Sequence, residues 1–282
     1  MRKQDADQDE PMVIGSATEL MFPATRRSFV RTLLAGGTVV MLPSVFGACE
    51  RREITVPGFD PDTDGPDPVK GVSFDLRSDV GIFRLVHANE QLEAAFYTAV
   101  VSSAAFSSFT AEEREIFVDL RDTEVVHREF VRTALGSQAL PDLRGSINMT
   151  TLNSILSSKA SIIAAARMFE NMGVAALNGA GKYLQDARNL LIAGKFVSVE
   201  ARHAAALRDI APPAGVNANT AFAGDDIIDN TGRDVKLEAG AVVARVAATN
   251  LLLPGTLASP AISNGPTATQ GVATPDFFPA NP

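Results

Sequence analysis

The chain has 282 residues and a formal net charge of −8, with 46% hydrophobic and 21% charged residues. That is the composition of a globular protein able to bury a core of ordinary size. The acidic balance, with no basic clusters, excludes a nucleic-acid partner held through phosphate contacts, and the single cysteine, Cys49, excludes an intramolecular disulfide.

Residues 1–48 read as an export segment. Thr25-Arg26-Arg27-Ser28-Phe29-Val30-Arg31 resembles the twin-arginine export motif: paired arginines, then a hydrophobic residue two positions on, ahead of a moderately apolar run from Leu33 to Phe46. The run has the length of a signal h-region rather than of a membrane span. Phe46-Gly47-Ala48-Cys49 resembles a lipobox, with Phe46 where an aliphatic residue is usual. The resemblance implies the twin-arginine machinery as a partner, a periplasmic or cell-envelope location, membrane attachment through lipid on Cys49, and folding, often with a cofactor in place, before export. The acidic stretch ahead of Met21 is unusual for a signal, and Met21 is an alternative start. Residues 49–75, with Pro57, Pro61, Pro66 and Pro68, read as a tether.

Residues 76–213 are expected to form four helices. Helix A spans roughly Asp79 to Ala104, with Ile82, Leu85, Val86, Leu92, Phe96, Ala99 and Val100 near one stripe and Glu90 among them. Helix B opens with the Thr-x-x-Glu capping box of Thr110 and Glu113 and runs to Leu135, stopped by Gly136. A long connection, Ser137 to about Ser157, can carry the chain back along a bundle, the single-crossover topology. Helix C is expected over Ser158 to Leu177, ending at Asn178-Gly179, and helix D over Tyr183 to Ile210, stopped by Pro212-Pro213. The fold class is therefore all-α, a four-helix bundle with one long crossover from helix B to helix C. Residues 214–282 form an irregular extension that packs on the bundle or is loosely ordered, with a further helix expected within Leu237 to Leu253. Asp225, Asp226 and Asp229 read as an exposed turn rather than a cation site.

Two of the three histidines follow a glutamate by three residues, Glu124-Val-Val-His127 and Glu200-Ala-Arg-His203, although glutamate fills only 14 of 282 positions. Each pair is preceded in a helical stretch by another glutamate, Glu90 by 34 residues and Glu170 by 30. Glu, Glu-x-x-His, Glu, Glu-x-x-His is the ligand set with which a four-helix bundle holds two metal ions in its core. Residues three apart share a helix face, so each Glu-x-x-His turns a carboxylate and an imidazole inward together. Mixed oxygen and nitrogen donors suit iron or manganese, giving two Fe or two Mn as the expected cofactor. Glu93, one turn after Glu90, is kept as an alternative ligand. His87 has no partner motif and reads as structural.

Three segments carry a resemblance to the ferritin-like superfamily, and within it to the bacterial ferritin-like group related to desiccation-related proteins. They are Asn89-Glu90-Gln91-Leu92-Glu93-Ala94-Ala95-Phe96-Tyr97, Phe169-Glu170-Asn171-Met172-Gly173-Val174-Ala175-Ala176 and Val199-Glu200-Ala201-Arg202-His203-Ala204. A weaker echo is Asp276-Phe277-Phe278-Pro279. The resemblance covers residues 76–213 and implies that Glu90 and His127 bind one metal, Glu170 and His203 the other, and that Glu124 and Glu200 bridge. The spacing of Tyr97 after Glu90 matches a tyrosine that stands beside the metals, which implies a catalytic role for Tyr97 as hydrogen-bond or electron donor.

The function this implies is an exported di-iron or di-manganese protein that oxidises Fe(II) or destroys peroxide, with oxygen or peroxide as its small oxidant. The alternative is a non-enzymatic envelope protein serving stress or desiccation protection. A further copy of the same chain is kept open as a partner.

Overall fold

The structure, a computed structural model, describes residues 66–224 and 226–271. The export segment, Cys49, the tether up to residue 65, Asp225 and the Asp276-Phe277-Phe278-Pro279 echo lie outside the described residues. The elements in chain order are β1 (Val72–Asp75), α1 (Asp79–Ser102), α2 (Ala111–Leu135), α3 (Met149–Ile155), α4 (Lys159–Gly181), α5 (Ala187–Ile210), α6 (Ala239–Ala248) and β2 (Leu257–Asn264). The long helices α1, α2, α4 and α5 make the bundle. Helix α1 lies along α2 and α4 along α5, and contacts of α1 with α4 and of α2 with α5 close it.

Each long helix starts where a side chain satisfies its free N–H groups. Ser78, Thr110, Ser158 and Asp186 accept from Gly81, Glu113, Ser161 and Arg188 respectively. At Thr110 the box is reciprocal, since Glu113 accepts from the Thr110 N–H at 2.7 Å. Helix α2 stops at Gly136, whose φ of 55° only glycine adopts freely.

Two expected boundaries are corrected. Helix α4 does not end at Asn178-Gly179 but continues to Gly181. Gly179 instead gives clearance, because a Cβ there would lie 1.8 Å from the Leu237 carbonyl oxygen. Helix α5 begins at Ala187, not Tyr183, because the Asp186 carboxylate caps it, while Tyr183 and Leu184 close a turn on Ala180 and Gly181.

The crossover from α2 to α4 is built rather than loose. It contains the short helix α3, capped by Asn148. His87 and Gln91, on the side of α1 that faces it, hold its backbone: Leu140 N–H donates to His87 Nδ1 at 3.2 Å, Leu143 N–H to Gln91 Oε1 at 2.8 Å, and Gln91 Nε2 to the Pro141 carbonyl at 3.1 Å. Burial lowers the His87 pKa to about 4, against a raising influence from Glu129, so the ring is neutral and Nδ1 is free to accept. This agrees with a structural role for His87.

The end of the tether is also corrected. Val72–Asp75 is a strand that pairs in parallel with β2, Val72 opposite Leu257 and Phe74 opposite Ile262, and Val72, Phe74 and Leu76 are buried. The extension after α5 packs on the bundle. Leu237 N–H donates to the Ala175 carbonyl, and Leu253 N–H to that of Ser146. Arg208, fully buried on α5, donates through Nε to the Ala221 carbonyl at 2.5 Å and pairs with Asp226. Asp226 thus clamps the extension, and Asp229 accepts from the Thr231 and Arg233 N–H groups as a turn residue. The helix expected within Leu237 to Leu253 is α6.

The core of the bundle is an aromatic row, Phe96, Tyr97, Phe109, Phe117 and Phe169, with Leu92, Val100 and Ile162 around it. Ring centroids stand 5.0 Å apart for Phe96–Tyr97 and Phe109–Phe117, 5.1 Å for Phe96–Phe169 and 5.9 Å for Tyr97–Phe117. Burying each phenylalanine stabilises the fold by about 1.5–3 kcal/mol. This row ends where the charged residues of the bundle interior begin.

Candidate metal centre

The apolar stripe of each long helix is interrupted by acid at the same level. Glu90, Glu93, Glu124, Glu170 and Glu200 are all 1% exposed or less. A buried carboxylate is expensive unless something compensates its charge. Five in one bundle interior require a reason beyond packing.

Their geometry supplies one. From α2, His127 Nδ1 lies 3.3 Å from Glu124 Oε2, 3.4 Å from Glu90 Oε2 and 3.0 Å from Glu200 Oε1. From α5, His203 Nδ1 lies 2.9 Å from Glu124 Oε1, 3.3 Å from Glu170 Oε2 and 3.8 Å from Glu200 Oε2. Glu124 and Glu200 therefore each turn one oxygen toward each histidine. Two sets of donor atoms converge, Glu90, Glu124, His127 and Glu200, and Glu124, Glu170, Glu200 and His203, with the atoms of each set within 4.8 Å of one another.

These atoms approach one another without bonding well. Glu90 Oε2, both oxygens of Glu124 and of Glu200, and His127 Nδ1 are buried with no aligned hydrogen-bond partner. Short distances with poor angles mean that the atoms aim at shared space rather than at each other. Orphaned buried polar groups of this kind are rare and need an explanation. Oxygen-rich donors with two imidazoles fit divalent iron or manganese. The cluster is compatible with a di-metal site.

Electrostatics agree. Burial alone would lower the His127 pKa, but Glu124, Glu200 and Glu90 overcome it and push it up to about 12. Burial likewise opposes the rise at His203, which Glu124 and Glu170 take to about 10. Burial would raise Glu124, yet the two imidazoles hold it at about 2. Burial drives Glu90, Glu93 and Glu170 well above the ordinary carboxylate range, with neighbouring carboxylates adding to the rise. Free of metal, the cluster holds protons on its imidazoles and on part of its carboxylates.

Tyr97 lies at the edge, fully buried, and donates to Glu170 Oε1 at 2.5 Å. Burial, and then the charge and hydrogen bond of Glu170, raise its pKa well above the ordinary 10, so it remains a donor. His127 stacks on Phe196 at 4.3 Å between centroids, which fixes the ring plane.

All seven residues named from the sequence as ligands or as Tyr97 meet in this one place. Glu93, the alternative to Glu90, falls in neither converging set. Its Oε2 accepts from Asn89 Nδ2 at 2.6 Å, and its Oε1 has no partner. Asn89, Phe196 and Gly173 join the surroundings of the cluster without having stood out in the sequence. Asn89 and Phe196 each stand four residues before a buried glutamate, Glu93 and Glu200, and that helical spacing was the available signal.

Residues 78–212 match the family model described as a ferritin-like domain. The match covers all four bundle helices and every residue of the cluster. No curated protein matches the chain.

Proposed function

We propose that this protein is an exported di-metal carboxylate protein that uses two iron or manganese ions to oxidise Fe(II) or to remove peroxide in the cell envelope. The observation that carries the reading is the pair of donor sets that share Glu124 and Glu200. In this reading Glu90 and His127 would hold one ion and Glu170 and His203 the other, with Glu124 and Glu200 shared between them. Bound there, the pair would supply electrons to oxygen or peroxide.

The rest of the chemistry belongs to the side chains. The four carboxylates of the two sets would balance two divalent charges in the buried interior. The imidazoles, protonated in the metal-free cluster, would give up those protons to serve as ligands. Tyr97 fixes the Glu170 carboxylate and stands where a proton or electron can be passed. The aromatic row beyond it keeps water from that end of the site.

The twin-arginine and lipobox resemblances support export through the twin-arginine machinery and attachment through Cys49, and export of a folded protein suits a site loaded beforehand. The resemblance of the three segments to the desiccation-related group supports the second reading, a stress-protective envelope protein without turnover. Elemental analysis of the full chain, purified without chelator, separates them. Two irons or manganeses per chain are expected, with both lost in the His127→Ala/His203→Ala variant. Unchanged metal in that variant would sink the ligand assignment. A wild-type chain that takes up neither Fe(II) nor Mn(II) would leave the protective reading.

A further inference from the structure

The residues of the acidic centre come in two matching halves along the chain: Glu90 corresponds to Glu170, Glu124 to Glu200 and His127 to His203. The correspondence breaks one turn further along α1 and α4. Three residues after Glu90 stands Glu93; three residues after Glu170 stands Gly173. A glycine inside a helix costs about 0.5–1 kcal/mol relative to alanine, and this one faces the departure from symmetry. A Cβ built on Gly173 would lie 3.5 Å from Glu93 Oε1, 3.5 Å from Glu200 Oε2 and 3.6 Å from Asn89 Nδ2. Helix α4 is bare where Glu93 of α1 comes across.

Glu93 itself is unaccounted for. It is fully buried, Asn89 holds only its Oε2, and its Oε1 has no partner. That free oxygen approaches the same point over Gly173 as Glu200 Oε2, the oxygen that Glu200 turns toward His203. One turn further along α1, Tyr97 reaches Glu170. Helix α1 therefore gives two residues, Glu93 and Tyr97, to the half of the centre that belongs to α4 and α5. Glu90, on the same helix, faces His127 of α2.

We infer that Glu93 is an additional acidic ligand of the half of the centre built on Glu170 and His203, reaching it across the clearance left by Gly173. The inference rests on the di-metal reading. It makes the two metal positions unequal: one is held by Glu90, His127 and the shared carboxylates, the other by Glu170, His203, the same shared carboxylates and Glu93. Asn89 steadies the far oxygen of Glu93 and leaves the near one free to turn inward.

The test is anaerobic titration of the full, metal-free chain with Co(II), read by calorimetry and by visible absorption. The wild type is expected to bind two Co(II). Glu93→Gln keeps the shape and removes the ligand, so one of the two affinities should fall at least about tenfold while the other stays within about threefold. The absorbance added by the weakened step should rise, because a cobalt ion with fewer ligands absorbs more strongly. Glu93→Gln should add little to His203→Ala, which already disables the same half, and should add fully to His127→Ala. Glu93→Asp keeps the charge but withdraws it by one methylene; a partial loss in the same step is expected, and this variant carries the test if Glu93→Gln misfolds by circular dichroism. Unchanged affinities and spectrum in Glu93→Gln, with His203→Ala still losing a cobalt, would overturn the inference and leave the di-metal reading intact. A wild type that binds no Co(II) would overturn both.

Discussion

At the scale of single residues the centre is defined by groups whose charges do not cancel. Two imidazoles face four buried carboxylates, with a fifth, Glu93, buried beside them, and desolvation alone would neutralise most of them. The most exact contact among them is Tyr97 to Glu170, a buried donor against a buried acceptor at 2.5 Å. Tyr97→Phe leaves Glu170 Oε1 without that donor and should destabilise the fold by about 1–3 kcal/mol in urea unfolding. Metal content should stay at two per chain, and oxidation of Fe(II) should slow. A variant with full stability and rate would show that the tyrosine only fills space. The ligand residues were legible in the sequence because each is a rare acid or histidine at a helical spacing on an apolar stripe. Gly173 was not, since it carries no signal until α1 and α4 are laid side by side, and Asn89 carried only its i, i+4 spacing to Glu93.

At the scale of elements, the helices follow from caps and stripes. Thr110 with Glu113 and Gly136 mark α2 at both ends, and the sequence reading of that helix agrees with the structure. The reading failed at the end of α4, where Asn178-Gly179 resembles a stop. Gly179 is there because the extension passes so close that only a hydrogen fits, with the Leu237 carbonyl 1.8 Å from a would-be Cβ. Gly179→Ala should therefore push the 237–239 segment off α4 in spite of the better helix propensity of alanine. The expected result is a lower melting temperature and faster proteolysis between α5 and α6. Unchanged values for both would show that the backbone shifts without cost. The crossover is a second case: its polar Ser, Thr and Asn residues read as loop, but Asn148 caps a short helix, and His87 and Gln91 hold the preceding backbone.

At the scale of the whole molecule, the metal-free site ties the stability of the fold to pH. His127 and His203 bind protons more tightly in the folded chain, at about 12 and about 10, than at their ordinary 6.5. Their contribution to stability is complete below pH 6.5 and is lost as pH rises through those values. Glu90, Glu93 and Glu170, raised by burial, act in the same sense from above their ordinary 4.5. Glu124, held at about 2, works the other way, and only below pH 4.5. The metal-free protein should therefore melt at progressively lower temperature from pH 6.5 to 9. Metal binding displaces the same protons and tightens as pH rises, so the loaded protein should gain on the stripped one across that range. Thermal scans of chelator-stripped and Mn(II)-loaded protein would show it; a constant difference between the two would mean that the imidazoles are not the groups displaced.

The sequence by itself determined the helices of the bundle, the crossover topology and the identity of six inward acids and histidines. These depend on local periodicity and caps, which a chain carries in its spacing. Only the tertiary structure decided that Glu124 and Glu200 each face both histidines, that Glu93 comes to lie over Gly173, and that β1 and the extension close on the bundle. Those are relations between residues up to about 190 positions apart, such as Asp75 and Asn264. No local pattern encodes them, because they arise when separate helix faces are packed against one another.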